Sequence, residues 1–304
     1  GFRKLVVLKT LRPELSSQPA AREMFLAERK LVAQLAHPNV VQAFEGGDEG
    51  TELFFAMEYL EGLTLAQLVA RCRAAGAPLP LAYALLIVGD TLAGLHYAHE
   101  LLDYHGRPLR LVHRDASPQN VFVTYQGAVK VLDFGVAKLN SEASHTQLGI
   151  LKGKMAYAAP EQLMGETVDA RTDVYAVGVM LWELLAGRRL HSGSAAGLLQ
   201  RLQQGPPPLP PEVEVHPGLA AIVARALAVE PAERFSSAAA MRDALDVHRV
   251  EAGLRATHEE LGAYLRQAFA ADIEARRRTL AERLQAVDEA DAQPRVSLST
   301  SGVR

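Results

Sequence analysis

The alternation of apolar and polar positions divides the chain into a short β-rich front and a long helical remainder. Residues 4–11, KLVVLKTL, are aliphatic and β-branched and predict a strand. Ser17 and Pro19 supply a helix start, and apolar positions recur at helical spacing to about Ala36, where His37-Pro38-Asn39 breaks the pattern. VVQAF (40–44) and ELFFAMEYL (52–60) flank GGDEG, which predicts a hairpin with the glycines in its turn. From Leu65 the pattern is that of long helices, with one strand-turn-strand inset near 120–133. Pro78 and Pro80 open a helix that runs to about His99. The run DVYAVGVMLWELLAG (173–187) is apolar nearly all round and predicts a buried central helix closed by Gly187.

Beyond it, GPPPLPP (205–211) reads as a rigid loop between helices. Residues 251–288 predict a polar, charge-mixed helix whose ARRRT run (275–279) is a solvated face. From Asp291 the composition turns to that of a disordered tail. No internal repeat is visible.

Composition narrows the function classes. Lys and Arg number 32 against 35 Asp and Glu, a balance that argues against a partner bound through its phosphate backbone, so no nucleic acid is expected. The single cysteine, Cys72, cannot close an internal disulfide and fits a reducing compartment. The longest apolar run, 174–186, is interrupted by Glu183 and is too short to span a bilayer. No membrane segment is therefore expected within the chain.

Two charged residues stand where apolar ones belong. Lys9 shares a strand face with Val7 and Leu11, and Glu28 falls in the helical stripe of Phe25, Val32 and Leu35. Such groups either reach to water or pair with each other across the core. A second cluster lies in HRDASPQN (113–120), followed by the strands VFVT and AVKVL and then by DFG (133–135). Antiparallel pairing of those strands brings Asn120 and Asp133 together at the open end of the hairpin. An amide oxygen and a carboxylate suit Mg²⁺, and Asp115 is placed at the same mouth to accept a proton. Singly, each is an ordinary turn residue. Jointly, their spacing is not a coincidence.

The ordered set VVLK (6–9), Glu28, HRDASPQN, DFG, AAPE (158–161), Asp173 and Arg234 resembles the eukaryotic-like serine/threonine protein kinases of bacteria over about residues 4–247. The resemblance implies a bilobal α+β fold: a partial small lobe at 1–60, a helical lobe at 61–250, a helical extension at 251–290 and a tail at 291–304. It implies transfer of the γ-phosphoryl of MgATP to serine or threonine hydroxyls of a protein substrate, at a cytoplasmic site, with any membrane anchor lying outside the chain. Lys9 would hold the α- and β-phosphates and be oriented by Glu28, while Asn120 and Asp133 would bind Mg²⁺ and Asp115 would receive the hydroxyl proton. Met57 would back the adenine pocket, with the backbone of Glu58 and Leu60 hydrogen-bonding the base. Glu161 and Arg234 would form a buried ion pair, and Asp173 would anchor the catalytic loop. The extension is open to a partner.

Three departures from the family pattern matter. Ser117 replaces the usual catalytic-loop lysine, and Lys154 stands where a threonine is usual, which suggests that Lys154 restores the missing positive charge. No glycine-rich phosphate loop occurs, and only eight residues precede Lys9. The expectation is a chain truncated before its catalytic lysine and weak in ATP binding; the alternative is a pseudokinase scaffold. Arg114, beside Asp115, suggests control by phosphorylation at Ser141, Ser144 or Thr146.

Overall fold

In the computed structural model, residues 4–49, 52–134, 155–191, 205 and 208–292 are described. Strand β1 (Val6–Thr10) pairs antiparallel with β3 (Glu52–Glu58), which also pairs with β2 (Ala43–Glu49), giving the order β1-β3-β2. A one-turn helix α1 (Pro13–Ser16) precedes α2 (Pro19–Val32), whose first turn is fixed by Pro19 and which closes with Arg29 and Lys30 in its last. The expected inward stripe is observed: Phe25, Glu28, Val32 and Leu35 are all buried. Phe25, Leu53 and Phe55 form a small core of their own, with the Phe25 and Phe55 rings 5.4 Å apart.

Two details of this sheet differ from the sequence expectation. Gly46 and Gly47 lie within β2 rather than in the turn. Their reason is close approach by neighbouring elements: a Cβ on Gly46 would sit 2.4 Å from the Arg29 side chain of α2, and one on Gly47 2.5 Å from the Phe54 ring of β3. Val7, expected to face inward with Lys9, is 41% exposed, because β1 is an edge strand with β3 on one side only.

A second sheet, β4 (Gly62–Thr64), β5 (Val121–Thr124) and β6 (Val129–Val131), lies against the helical lobe. Thr64 caps α3 (Leu65–Ala74) through a reciprocal exchange with Gln67. Helix α4 (Leu81–His99) has the length and apolarity of a membrane span, but its face is spent in the core, with Leu85, Ile87, Leu92 and Leu95 fully enclosed. Past the short α5 (Pro160–Met164), α6 (Ala170–Ala186) is the expected central helix, capped by Asp169 and closed by Gly187 at φ 64°. Helices α7 (Pro217–Ala226) and α8 (Ala238–Glu251) complete the large core. The described part of the proline-rich loop, Gly205 and residues 208–211, adopts neither helix nor strand. The two cores are stitched by residues 39–41, where Val131 N–H donates to Asn39 O at 2.8 Å and Val41 N–H to Val131 O at 3.0 Å.

The segment from 251 onward is not one solvated helix. It turns at 252–257 and continues as α9 (His258–Ala268) and α10 (Ala270–Ala292). Leu261, Leu265, Phe269 and Ile273 enter the large core, so burial of this stripe, invisible while its partner surface was unknown, places both helices against the lobe. The β5–β6 turn passes directly beneath: Gly127 has φ 90°, and a Cβ there would meet His258 O at 1.8 Å. The ARRRT run is exposed throughout, as expected of a solvated face, yet from it Arg276 donates to Gly62 O at 3.0 Å and Arg277 reaches Glu61 at 3.4 Å.

One ion pair ties the helical lobe together. Arg234 and Glu161 meet at 2.8 Å through both guanidinium nitrogens, with side chains 0% and 4% exposed. Thr172 Oγ1 adds a 2.7 Å hydrogen bond to Glu161, and Arg234 also donates to the carbonyls of Arg171, Ala228 and Val229. Burial works against the Glu161 charge, yet the Arg234 and Thr172 hydrogen bonds hold its carboxyl below the ordinary 4.5. Its stabilising contribution is complete above that value and is lost as pH falls through the lower folded one. Arg234→Met, which strands the carboxylate, should cost about 3–5 kcal/mol at neutral pH, with part recovered in Glu161→Leu/Arg234→Met. Urea unfolding against pH checks this: the deficit of the single variant should shrink in acid, where Glu161 is neutral, and a pH-independent deficit would contradict it.

Candidate active site

The lysine expected on a core face is found at the seam of the two lobes. Lys9 Nζ lies 2.6 Å from Glu28 Oε1 and 2.8 Å from Asp133 Oδ1. β1 supplies the lysine, α2 the glutamate, and the residue two beyond β6 the aspartate, so one ammonium joins three elements. Burial pulls the Lys9 pKa down, but the carboxylates of Asp133 and Glu28 outweigh it and hold the group above its ordinary value. Lys9 is therefore a permanent cation facing the interlobe mouth, and the snorkelling alternative is set aside.

The catalytic-loop segment is organised from below by Asp173, which is wholly buried near the start of α6. Its carboxylate accepts from His99 Nε2 at 2.7 Å, from His113 N–H at 2.8 Å and from Arg114 N–H at 2.9 Å. Burial opposes that charge, but the His99 hydrogen bond and neighbouring His113 keep the carboxyl below its usual range. Arg114 sits at φ 62°, a left-handed conformation that costs a non-glycine residue about 1–3 kcal/mol and survives only where surroundings impose it. Here the two N–H bonds to Asp173 impose it. His113 Nδ1 accepts from Asp115 N–H at 3.2 Å, which fixes Nε2 as the donor to Leu132 O at 2.9 Å. Asp133 is also left-handed, at φ 49°.

Above this base, Asn120 Nδ2 donates to Asp115 O at 2.9 Å and to Asp115 Oδ2 at 3.2 Å. Leu132 N–H donates to Asn120 O at 2.8 Å, and Val121 pairs with Val131, so Asn120 and Asp133 do lie at the same open end of the hairpin. With its amide nitrogen committed to Asp115, Asn120 is left with Oδ1 as an acceptor that makes no hydrogen bond to a described residue. Asp133, half exposed, keeps one carboxylate oxygen beyond the Lys9 contact. Two hard oxygen donors at one mouth fit a small divalent cation that retains other ligands from water or phosphate. Ser117 is buried and gives its carbonyl to Asn120 N–H, so its hydroxyl offers no cationic substitute.

Near the end of β3, Met57 packs against the small core. The Glu58 side chain takes Lys130 Nζ at 2.7 Å and Gln42 N–H at 2.8 Å, a network the sequence pattern does not announce. Its backbone N–H is committed to Gln42 O, so a base contact at this residue falls to its carbonyl. Leu60 lies outside any strand, and its backbone makes no hydrogen bond to a described residue. Lys154, Gly135, Ser141, Ser144 and Thr146 lie outside the described residues. His99 is the supporting residue that sequence reading missed: a lone histidine at a helix end carries no signal until Asp173 is found beside it.

This geometry has counterparts among known proteins. The family model described as "protein kinase domain" matches residues 2–245. Tyrosine-protein kinase MasK of Myxococcus xanthus is 42% identical over 277 residues, covering 88% of this chain and 42% of MasK. Serine/threonine-protein kinase PksC of Streptomyces coelicolor is 39% identical over 247 residues, covering 78% of this chain and 43% of PksC. The chain thus spans less than half the length of either relative. Among solved structures, the kinase domain of Mycobacterium tuberculosis PknI (C20A mutant) superposes with a TM-score of 0.59 at 30% identity, covering 81% of this chain and 85% of that one. With a lysine-carboxylate bridge at the lobe seam, a loop hung on a buried aspartate and a family match over most of its length, the chain belongs to the protein kinase family.

Proposed function

We propose that the chain is the catalytic domain of a protein kinase that moves the γ-phosphoryl of ATP to a serine or threonine hydroxyl of a protein substrate. The observation that carries this reading is the Lys9 ammonium held between Glu28 and Asp133 at the lobe seam. In it, Lys9 steadies the α- and β-phosphates, and the backbone carbonyl of Glu58 and the backbone of Leu60 meet the adenine in front of Met57. Asp115 takes the proton of the attacking hydroxyl as its oxygen bonds to the γ-phosphorus and the bond to the ADP oxygen breaks. Asn120 Oδ1 and Asp133 would hold Mg²⁺, which when bound neutralises charge on the phosphate oxygens. Residues 1–60 and 61–250 serve as the two lobes, 251–290 as an extension and 291–304 as a tail, with catalysis on the cytoplasmic side where ATP is available.

Lys154 belongs to the same reading as the cation that offsets the absence of a lysine at Ser117. Arg114, whose buried Nε has no hydrogen-bond partner among the described residues, suits a phosphate on the segment carrying Ser141, Ser144 and Thr146. A tyrosine acceptor is a second reading, favoured by the name of the relative that is 42% identical.

Asp115→Asn should lower ATP-dependent turnover by about 10²–10⁴-fold with little change in melting temperature; turnover at background in both proteins would leave a scaffold as the better account. Lys154→Ala should lower kcat by on the order of 10²-fold, and an unchanged kcat would remove that residue from the site. Phosphoamino-acid analysis with peptide mapping after incubation in MgATP should yield phosphoserine or phosphothreonine within 136–157. Phosphotyrosine alone would establish the second reading, and an unmodified segment would dispose of the regulatory role.

A further inference from the structure

A cleft beside the catalytic loop has a charge that the phosphate-transfer machinery does not use. Its walls are α3, the end of α6 and the residues just past it, with a cavity volume of about 100 Å³. Pro118, three residues after Asp115, forms part of its floor, and the Pro118 carbonyl accepts from Ala66 N–H at 2.9 Å. The cleft is therefore fastened to the loop that carries Asp115. Leu65, Val69, Met180 and Leu184 line it with apolar surface.

Three guanidinium groups stand at its rim: Arg73, Arg188 and Arg189, all on exposed residues. One carboxylate faces them, Glu183, and it is already engaged. Its Oε2 takes the Tyr157 hydroxyl at 2.6 Å and Arg189 at 3.3 Å, and its Oε1 takes Leu190 N–H at 3.0 Å. Arg189 also donates to Tyr157 Oη. Glu183 therefore neutralises Arg189 and has little capacity for a cation arriving from outside. Among the described residues Arg73 donates only to the carbonyl of Gly187, and Arg188 lies 5.7 Å over the Trp182 ring. Neither has a carboxylate partner among the described residues. Capping the C-terminus of α6 explains Arg73. It does not explain why a second unpaired guanidinium faces the same cleft.

We propose that this cleft is an acidic subsite of the substrate-binding surface. It accepts a carboxylate or phosphate side chain of the protein substrate, flanking the hydroxyl that is phosphorylated, with Arg73 and Arg188 as its ligands and the apolar floor taking the side-chain stem. Arg suits both anions because its planar fork meets two oxygens at once. The inference deepens the kinase reading and rests on it.

The test uses serine peptides in which one flanking position at a time carries Asp, phosphoserine, Ala or Lys. The best Asp or phosphoserine placement should exceed Ala by about tenfold in kcat/KM, expressed through KM, with Lys the poorest and the advantage shrinking with salt. In Arg73→Ala/Arg188→Ala the acidic advantage should vanish while kcat on the Ala peptide is kept, with thermal melting as the check on folding. Phosphoserine well above Asp would identify a primed substrate; equality would identify an acidic one, and both support the subsite. Equal rates for Asp and Lys peptides, or a preference that survives the double variant, would overturn it. If no peptide is phosphorylated, the kinase reading fails by itself, and fluorescence anisotropy of labelled acidic and lysine peptides decides the subsite. Tighter acidic binding lost in the double variant would uphold it, and equal binding would reject it.

Discussion

The buried carboxylate of Asp173 is the constraint on which the catalytic region depends. It sits near the start of a helix with no access to water, and every hydrogen bond it accepts organises something else. Two of them pull consecutive backbone N–H groups into a turn that the chain would otherwise resist at Arg114. That turn sets His113, which spans Asp115 N–H and Leu132 O and so fixes the distance between the loop and the strand leading to Asp133. A charge that would be expensive alone becomes a template because its satisfaction requires one backbone geometry.

The second organising contact joins parts that have separate cores. Phe25, Leu53 and Phe55 pack apart from the large cluster, so apolar burial alone does little to dictate how β1 and α2 face the helical lobe. The Lys9 ammonium supplies that direction, by demanding carboxylates from α2 on one side and from the end of the β5–β6 hairpin on the other. Residues 39–41 add a backbone tether at Val131, next to the same aspartate. Orientation of the lobes and assembly of the charged site are thus one event.

Where sequence and structure agree, the reason is local spacing. Asn120 and Asp133 could be brought together on paper because antiparallel pairing of two short strands leaves no other register with the tight turn at Gly127. The stripe through Glu28 was legible because helical period is a property of the segment itself. Where they disagree, a distant partner decides. Gly46 and Gly47 resemble turn residues until Arg29 and Phe54 are seen to occupy the space that a side chain would need. The polar look of 251–288 concealed Leu261, Leu265, Phe269 and Ile273 because four apolar positions among many charges become a face only when a lobe is there to receive them. His99 could not be singled out at all, since its role is defined entirely by Asp173, 74 positions away.

The docking of α9 and α10 places a gradient of opening free energy beside the connector between the lobes. Helix α9 shares the large core and the close approach at Gly127, so it can exchange its amide protons only when much of that lobe opens. Beyond Ile273, α10 has surface contacts alone, among them Arg276 on Gly62 and Arg277 on Glu61. Fraying of α10 from its C-terminal end would therefore reach those two arginines before any core residue moves. Glu61 and Gly62, where the small lobe gives way to β4, are thus held by the last firm turn of this helix, which makes the stiffness of that junction depend on a segment outside the charged site.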